Sequence, residues 1–450
     1  MIGRWPIPAS WQWARAGELA VVVGGGTPRT SEPDNFSAAL AGAIPWLTPA
    51  DLACHDSIYV HHGARHLTPR GHGDSAARLL PVGSVVFSSR APIGRCAIAA
   101  APLCTSQGFR SFVPRGPELL YEYLYLYLLA ARDYAHSLAS GSTFQELSGS
   151  KAAQLWVPVA PTAEQARIVV KVRAARARIA GAGALLAEVA ARLAALRQAI
   201  LAAALRGEAS AAWRTAQPGL DAQARSGLPG SWRQLALGEV ARVQTGFAFK
   251  SAWFGASGVR LLRGCNVAVR RTRWHDAVCI DPERAEEYSQ YMLAAGDLVL
   301  AMDRPLIAEG LKVCRIAAED LPGLLVQRVA RLIAGAEILP DYLYMALQER
   351  AFCRHLERRA TGTQLPHVSA SAIASARLPV PPLAEQRVIV AATRARLGGL
   401  ARASQLHAQL GGALAGVEQA VLDRAFCGSL VTQAAEDEPA SASLARLAKR

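Results

Sequence analysis

Apolar residues return at alternating intervals of four and three along one stretch of the chain: Ile168, Val172, Ala175, Ile179, Ala182, Leu186, Val189, Leu193, Leu196, Ile200 and Ala203. That spacing puts them on one face of an α-helix, in the pattern of a coiled-coil seam. A helix of about 44 residues is roughly 65 Å long at ~1.5 Å per residue. A rod with a single apolar stripe needs a partner. A second stretch supplies one, with Ile389, Leu400, Ala403, Leu410, Leu414, Val417 and Val421 in a rougher stripe. Thr393, Arg396 and His407 interrupt it, and Gly398-Gly399 and Gly411-Gly412 weaken it by about 1 kcal/mol per glycine relative to alanine. Each stretch follows its own globular segment, so the helices are expected to pair antiparallel within the chain.

Upstream of each helix the pattern changes to short β-like runs, LAVVV (19–23), SVVFSS (84–89) and DLVLAM (297–302), separated by Gly, Pro and Asp turns. Helical segments follow at 123–139 and 342–357, where the tyrosines of YLYLYLL read as helix core. The expected class is α+β: two similar globular domains separated by two long antiparallel coiled-coil helices, related by an internal duplication with pseudo-twofold symmetry.

The duplication is visible in the residues. VPVAPTAEQARIVVKV begins at 157 and LPVPPLAEQRVIVAAT at 378, an offset of 221. At the same offset Pro8, Trp11, Gly17 and Glu18 fall on Pro229, Trp232, Gly238 and Glu239, and LRQAILAAALRGE (196–208) falls on VEQAVLDRAFCGS (417–429). Gly83 and Gly296 correspond, as do Gln107 and Gln327, while identity fades between these anchors. Two copies of a domain-sized unit indicate a duplicated domain, not a solenoid. Thr162 followed by Gln165 is expected to cap the first helix as a capping box. In the second copy Leu383 replaces the threonine.

Charge adds a partner. Lys+Arg 49 against Asp+Glu 35 gives a net charge of +14, and only five of the cations are lysine. Arginine's planar fork suits phosphates and guanine edges, so a polyanion is the first partner to consider. The eight cysteines form no C-x-x-C pair, which indicates neither a zinc site nor a redox motif. No signal peptide is evident, and charges or glycines are expected to interrupt every apolar stretch before the ~18 residues of a membrane span. A cytoplasmic protein is expected.

Signatures of catalysis are missing. The dipeptide Gly-Lys does not occur, so there is no Walker A loop. No lysine has Asp or Glu two positions before it, and no Asn-Pro-Pro or Asp-Pro-Pro precedes an aromatic residue. Gly24-Gly25-Gly26 reads as a turn, and the histidines of HHGARHLTPRGH (61–72) as a solvated basic loop, with no metal site expected.

A globule, a long helix opened by P-x-x-EQ, a linker and the same again resembles the specificity subunit of a Type I restriction–modification system. PVAPTAEQ (158–165), PVPPLAEQ (379–386), the helix ends at 197–208 and 418–431, the tail EDEPAS (436–441), Trp11 and Trp232, GSTFQELS (141–148) and GTQLPHVS (362–369) carry the resemblance. It implies target-recognition domains at 1–160 and 229–381, long helices at 161–207 and 382–428, a linker at 208–228 and a tail at 429–450. Each domain would read one half of a split, asymmetric sequence in double-stranded DNA. The helices would set the spacing and dock two methyltransferase subunits, with restriction/translocase subunits joining them. The chain would be no enzyme and hold no cofactor; S-adenosylmethionine, ATP and Mg would belong to its partners.

The loops must supply the DNA contacts, through side chains able to bond base edges or phosphates. In the first domain the candidates are Arg29, Ser89, Arg90, Gln107, Arg110, Ser142 and Thr143. In the second they are Lys250, Arg263, Asn266, Arg304, Gln327, Arg331, Thr363 and Gln364. The alternative reading is a coiled-coil adaptor that joins proteins without contacting DNA. It leaves the divergent basic globules unexplained.

Overall fold

The computed structural model describes residues 5–55, 57–90, 92–141, 145–217, 227–362 and 364–449. The chain divides into two compact units, Met1–Leu186 with Gln409–Arg450 and Ala187–Ala408.

In the first unit a five-stranded sheet runs in the order Ala20–Gly24, Arg110–Pro114, Val85–Phe87, Cys96–Ala99 and Tyr59–Val60. A four-stranded sheet (Phe36–Ser37, His66–Leu67, Ile44–Leu47, Cys104–Thr105) forms a second layer. Helix Tyr121–Ala130 belongs to the same core as the large sheet, and its Tyr123, Tyr125 and Tyr127 are buried as the pattern indicates. In the second unit the main sheet has the order Ala241–Thr245, Val329–Ala334, Leu298–Ala301 and Val313–Arg315. A three-stranded sheet (Cys279–Ile280, Val259–Leu262, Gly323–Leu325) lies beside it in the chain's topology. Each unit also closes its globule with a two-stranded ribbon just before the long helix: Gln12–Arg15 with Trp156–Val159, and Arg233–Ala236 with Arg377–Val380.

Both long stripes are helices, Thr162–Leu205 and Leu383–Phe426. In the first unit Ile168 and Val172, near the start of the first helix, share a core with Leu422 and Phe426 at the end of the second. Arg176 Nε donates to Glu418 at 2.9 Å across the pair. In the second unit Leu201 and Leu205, at the end of the first helix, share a core with Ile389 and Val390 at the start of the second. Start meets end in both units, so the helices are antiparallel.

Two expectations about these helices fail. The stripe is not continuously covered: Val189, Leu196, Leu410 and Val417 are 43%, 51%, 51% and 45% exposed. Ile168, Val172 and Leu400 are buried, while Ile179, Leu186, Leu193, Ile200, Leu414 and Val421 are half-buried. A straight helix drifts about 20° per heptad against a 3.5-residue repeat, so one stripe of five heptads cannot keep facing one neighbour. The first helix is also long and apolar enough to cross a membrane, by length and composition. Alanine raises its hydropathy, and its two ends are nevertheless built into protein cores.

The repeated Glu-Gln positions the helix on the globule. Gln165 forms no capping box: its N–H donates to the Pro161 carbonyl (2.9 Å) and its side chain turns inward. Gln165 Oε1 accepts from the Leu120 N–H (3.0 Å), and Nε2 donates to the carbonyls of Glu118 and Ala160, both at 2.9 Å. Gln386 repeats this with Pro382, Leu339 (2.7 Å), Glu337 (2.8 Å) and Pro381 (2.9 Å). The glutamine's work is done on backbone of the globule, so a capping threonine is dispensable and Leu383 can replace it. Glu164 and Glu385 accept from the indoles of Trp11 and Trp232, both at 2.9 Å. A buried polar group must be partnered, and these two side chains are.

Candidate nucleic-acid interface

Three loops converge at the same place in each unit. In the first, the Ser89 N–H donates to the Gly108 carbonyl and the Leu147 N–H donates to the Ser89 carbonyl, at 2.8 and 3.0 Å. In the second, the Met302 N–H donates to the Arg328 carbonyl and the Val368 N–H to the Met302 carbonyl, at 2.8 and 2.9 Å. These bonds tie the segment after the central strand (88–90, 302–305) to a tight turn (106–109, 326–329) and to a later connection (145–147, 364–368). The turns close on the same bond, though the third residue is left-handed only in the second unit. The Phe109 N–H donates to the Ser106 carbonyl and the Val329 N–H to the Val326 carbonyl, each at 3.1 Å. The frame is shared bond for bond; its side chains are not.

Several candidate side chains lie at this convergence. Gln107 and Gln327 are exposed at the tips of the two turns, and Arg90 is half-buried on the first segment. Arg304 and Gln364 are exposed in the second unit, and Arg304 Nη2 donates to the Gln364 carbonyl at 3.2 Å. Ser142, Thr143 and Thr363 lie outside the described residues.

Other candidates are occupied or removed from the surface. Ser89 is fully buried. Asn266 is 1% exposed and closes a turn, its Oδ1 accepting from the Arg263 N–H (3.1 Å) and its Nδ2 donating to the Arg273 carbonyl (2.9 Å). Arg263 donates to the Asp276 carbonyl. Arg110 pairs with Glu146 at 2.9 Å, and Arg331 with Asp297 at 2.9 Å and with Gln244 at 2.7 Å. Arg29 is open and 3.6 Å from Glu32. Lys250 Nζ lies 5.4 Å from the ring centre of Trp253. The basic histidine segment is not wholly solvated: His66 lies in a strand, is 4% exposed, and burial and its neighbour His62 push its pKa down. No group of three or more potential metal ligands occurs among the described residues.

Sequence reasoning missed Arg328, Asp303, His367 and Lys312 at the convergence. Arg328 has φ +72° and Arg304 has φ +43°, a left-handed backbone that costs an L-residue about 1–2 kcal/mol. Asp303 Oδ1 lies 2.7 Å from His367 Nδ1 and 3.6 Å from the Arg328 guanidinium. Lys312 Nζ donates to the Asp303 carbonyl at 3.3 Å, and burial pushes the lysine's pKa down. The local alignment sets Gln107 on Gln327 and Arg328 opposite Gly108, but Gly108 is not left-handed, so the strain at Arg328 left no signal in the sequence.

Residues 8–180 match the family model described as the Type I restriction modification DNA specificity domain. A 165-residue stretch is 38% identical to the MjaIX specificity subunit of Methanocaldococcus jannaschii, covering 36% of this chain and 37% of that one. The EcoAI specificity subunit of Escherichia coli is 36% identical over 165 residues, 36% of this chain and 28% of its own. The matched stretches thus span about a third of those relatives' lengths. Over the whole chain, the fold matches a solved chain from the assembly of a type I R-M system, with a TM-score of 0.67 and 20% identity, covering 94% of this chain and 100% of that one. The matched segment contains the loops at 88–90 and 106–109 and the described residues 140–141 and 145–147.

Proposed function

We propose that the chain is the DNA sequence-reading subunit of a Type I restriction–modification complex. Target-recognition domains at 1–160 and 229–381 each read one half of a split, asymmetric duplex site. The helices at 161–207 and 382–428 keep the halves apart and dock two methyltransferase subunits, to which restriction/translocase subunits add. The linker at 208–228 and the tail at 429–450 complete the arrangement. The chain itself is non-catalytic and works in the cytoplasm; S-adenosylmethionine, ATP and Mg serve its partners.

One observation carries this reading: the two units repeat the same three-loop convergence on the same hydrogen-bonded frame with different side chains. A frame that positions and loops that differ is what reading two unlike half-sites requires. At the loops, Arg90, Gln107, Arg304, Gln327 and Gln364 are the candidates for bases or phosphates. An adaptor that only joins proteins needs the rods and has no use for the divergent loops. Duplex binding by the full chain with its co-expressed partner subunits tests the reading. Affinity is expected to fall steeply with salt as phosphates release counterions. A flat salt response contradicts it.

A further inference from the structure

We propose that Arg328 reads a guanine edge in the half-site recognised by the second unit, and that Asp303 and His367 hold it in position. The inference rests on the DNA-reading function above and assigns part of it to one guanidinium.

Backbone comes first. Arg328 is the third residue of the Val326–Val329 turn and has φ +72°, where glycine is the ordinary choice. Its counterpart in the first unit, Gly108, is not left-handed, so the strained conformation belongs to the turn of the second unit. A side chain kept where it strains the turn is a candidate for function.

The neighbouring groups do not saturate that side chain. His367 Nδ1 lies 2.7 Å from Asp303 Oδ1 and 3.1 Å from Arg328 Nη1. A ring nitrogen carries either a proton or a lone pair, so it cannot donate to the carboxylate and accept from the arginine together. The shorter, charge-assisted contact takes the proton, and Nδ1–H donates to Asp303. Arg328 is then steered by a carboxylate 3.6 Å away without being saturated by it, and its side chain is 49% exposed. Arg331 is the opposite case, 12% exposed and bonded to Asp297 and Gln244. A fork with open, parallel N–H donors fits the paired N7 and O6 acceptors of guanine.

The test selects duplexes from a randomised pool with the full chain and its co-purifying subunits, then sequences them. Wild type is expected to enrich a split motif. Arg328→Ala is expected to erase, by about 10-fold or more, the preference at one G·C position in one half, leaving the rest intact. Arg328→Gly should erase the same preference while unfolding at the wild-type temperature or above, because the turn is relieved. Asp303→Asn should weaken that position alone, as loss of a positioning group would. Three results overturn the proposal: unchanged preference, affinity lowered equally for all sequences with a salt slope smaller by about one, or a lower unfolding temperature for Arg328→Gly with the motif retained. If wild type enriches no motif, the DNA-reading function falls and the proposal with it, a failure distinct from variants that leave a wild-type motif unmoved.

Discussion

The anchors of the two long helices are the same in outline and differ in the charge of the groups that complete them. Glu164 is held by neutral donors, the Trp11 indole at 2.9 Å and the Gln433 amide at 2.5 Å. Glu385 is held by the Trp232 indole at 2.9 Å, the Ser210 hydroxyl at 2.7 Å and the Arg214 guanidinium at 2.5 Å. In each unit the partners beyond the tryptophan come from the segment that follows a long helix: Gln433 of the C-terminal tail in the first, Ser210 and Arg214 at the start of the linker in the second. The tail goes further, with Arg167 paired to Asp437 and Ala440 and Leu447 buried in the first unit's core. The difference teaches which features the frame demands. The Trp–Glu bond and the glutamine are kept; the group that completes the carboxylate is free to be charged or neutral.

Removing the carboxylates should separate the two anchors most. Glu385→Gln leaves Arg214, 9% exposed, without its counter-charge, and is expected to cost about 3–5 kcal/mol. Glu164→Gln strands no charge and should cost about 1 kcal/mol or less. Thermal unfolding of the two variants measures the gap, and equal losses would break the distinction.

The glutamines should behave alike instead. Gln165→Ala and Gln386→Ala each leave buried backbone groups unpaired, with an expected loss of about 2–3 kcal/mol in either case. A denaturant midpoint shifted in one variant only would show that the frame is not shared.

Acidity sharpens the comparison with a smaller effect. Burial pushes the Glu164 carboxyl above its ordinary value of 4.5, against the bonds from Trp11 and Gln433. The folded state therefore holds that proton more tightly. Wild type should lose stability relative to Glu164→Gln as pH rises from about 4.5 through the folded pKa. In the second unit, burial of Asp320 is outweighed by donation from Thr272, Trp274 and the Ala317 N–H, and its carboxyl lies below 3.8. Its contribution is present above that value and is lost as pH falls through the folded pKa, so wild type and Asp320→Asn should converge in acid. Unfolding free energies across pH 2 to 8 check both signs.

Much of the frame was legible because its signals are local or repeated. The four-three spacing announced both helices, and the 221-residue offset paired Trp11 with Trp232 and Gln165 with Gln386. What stayed hidden is long-range. Arg110 and Arg331 look like free cations until Glu146 and Asp297, 36 and 34 residues away in sequence, come against them. Asn266 looks like a loop donor, yet its amide bonds its own turn, a habit of asparagine that competes with external ligands. Arg328 escaped notice because a left-handed backbone is invisible in an arginine codon.

The central claim is that each unit reads its own half of one DNA site. Replacing residues 1–155 with the corresponding segment of a known specificity subunit, then sequencing the duplexes that the assembled complex selects, tests it most directly. One half of the selected motif should change and the other should stay, at a spacing that the unchanged helices preserve. A change in both halves, or in neither, would contradict the account.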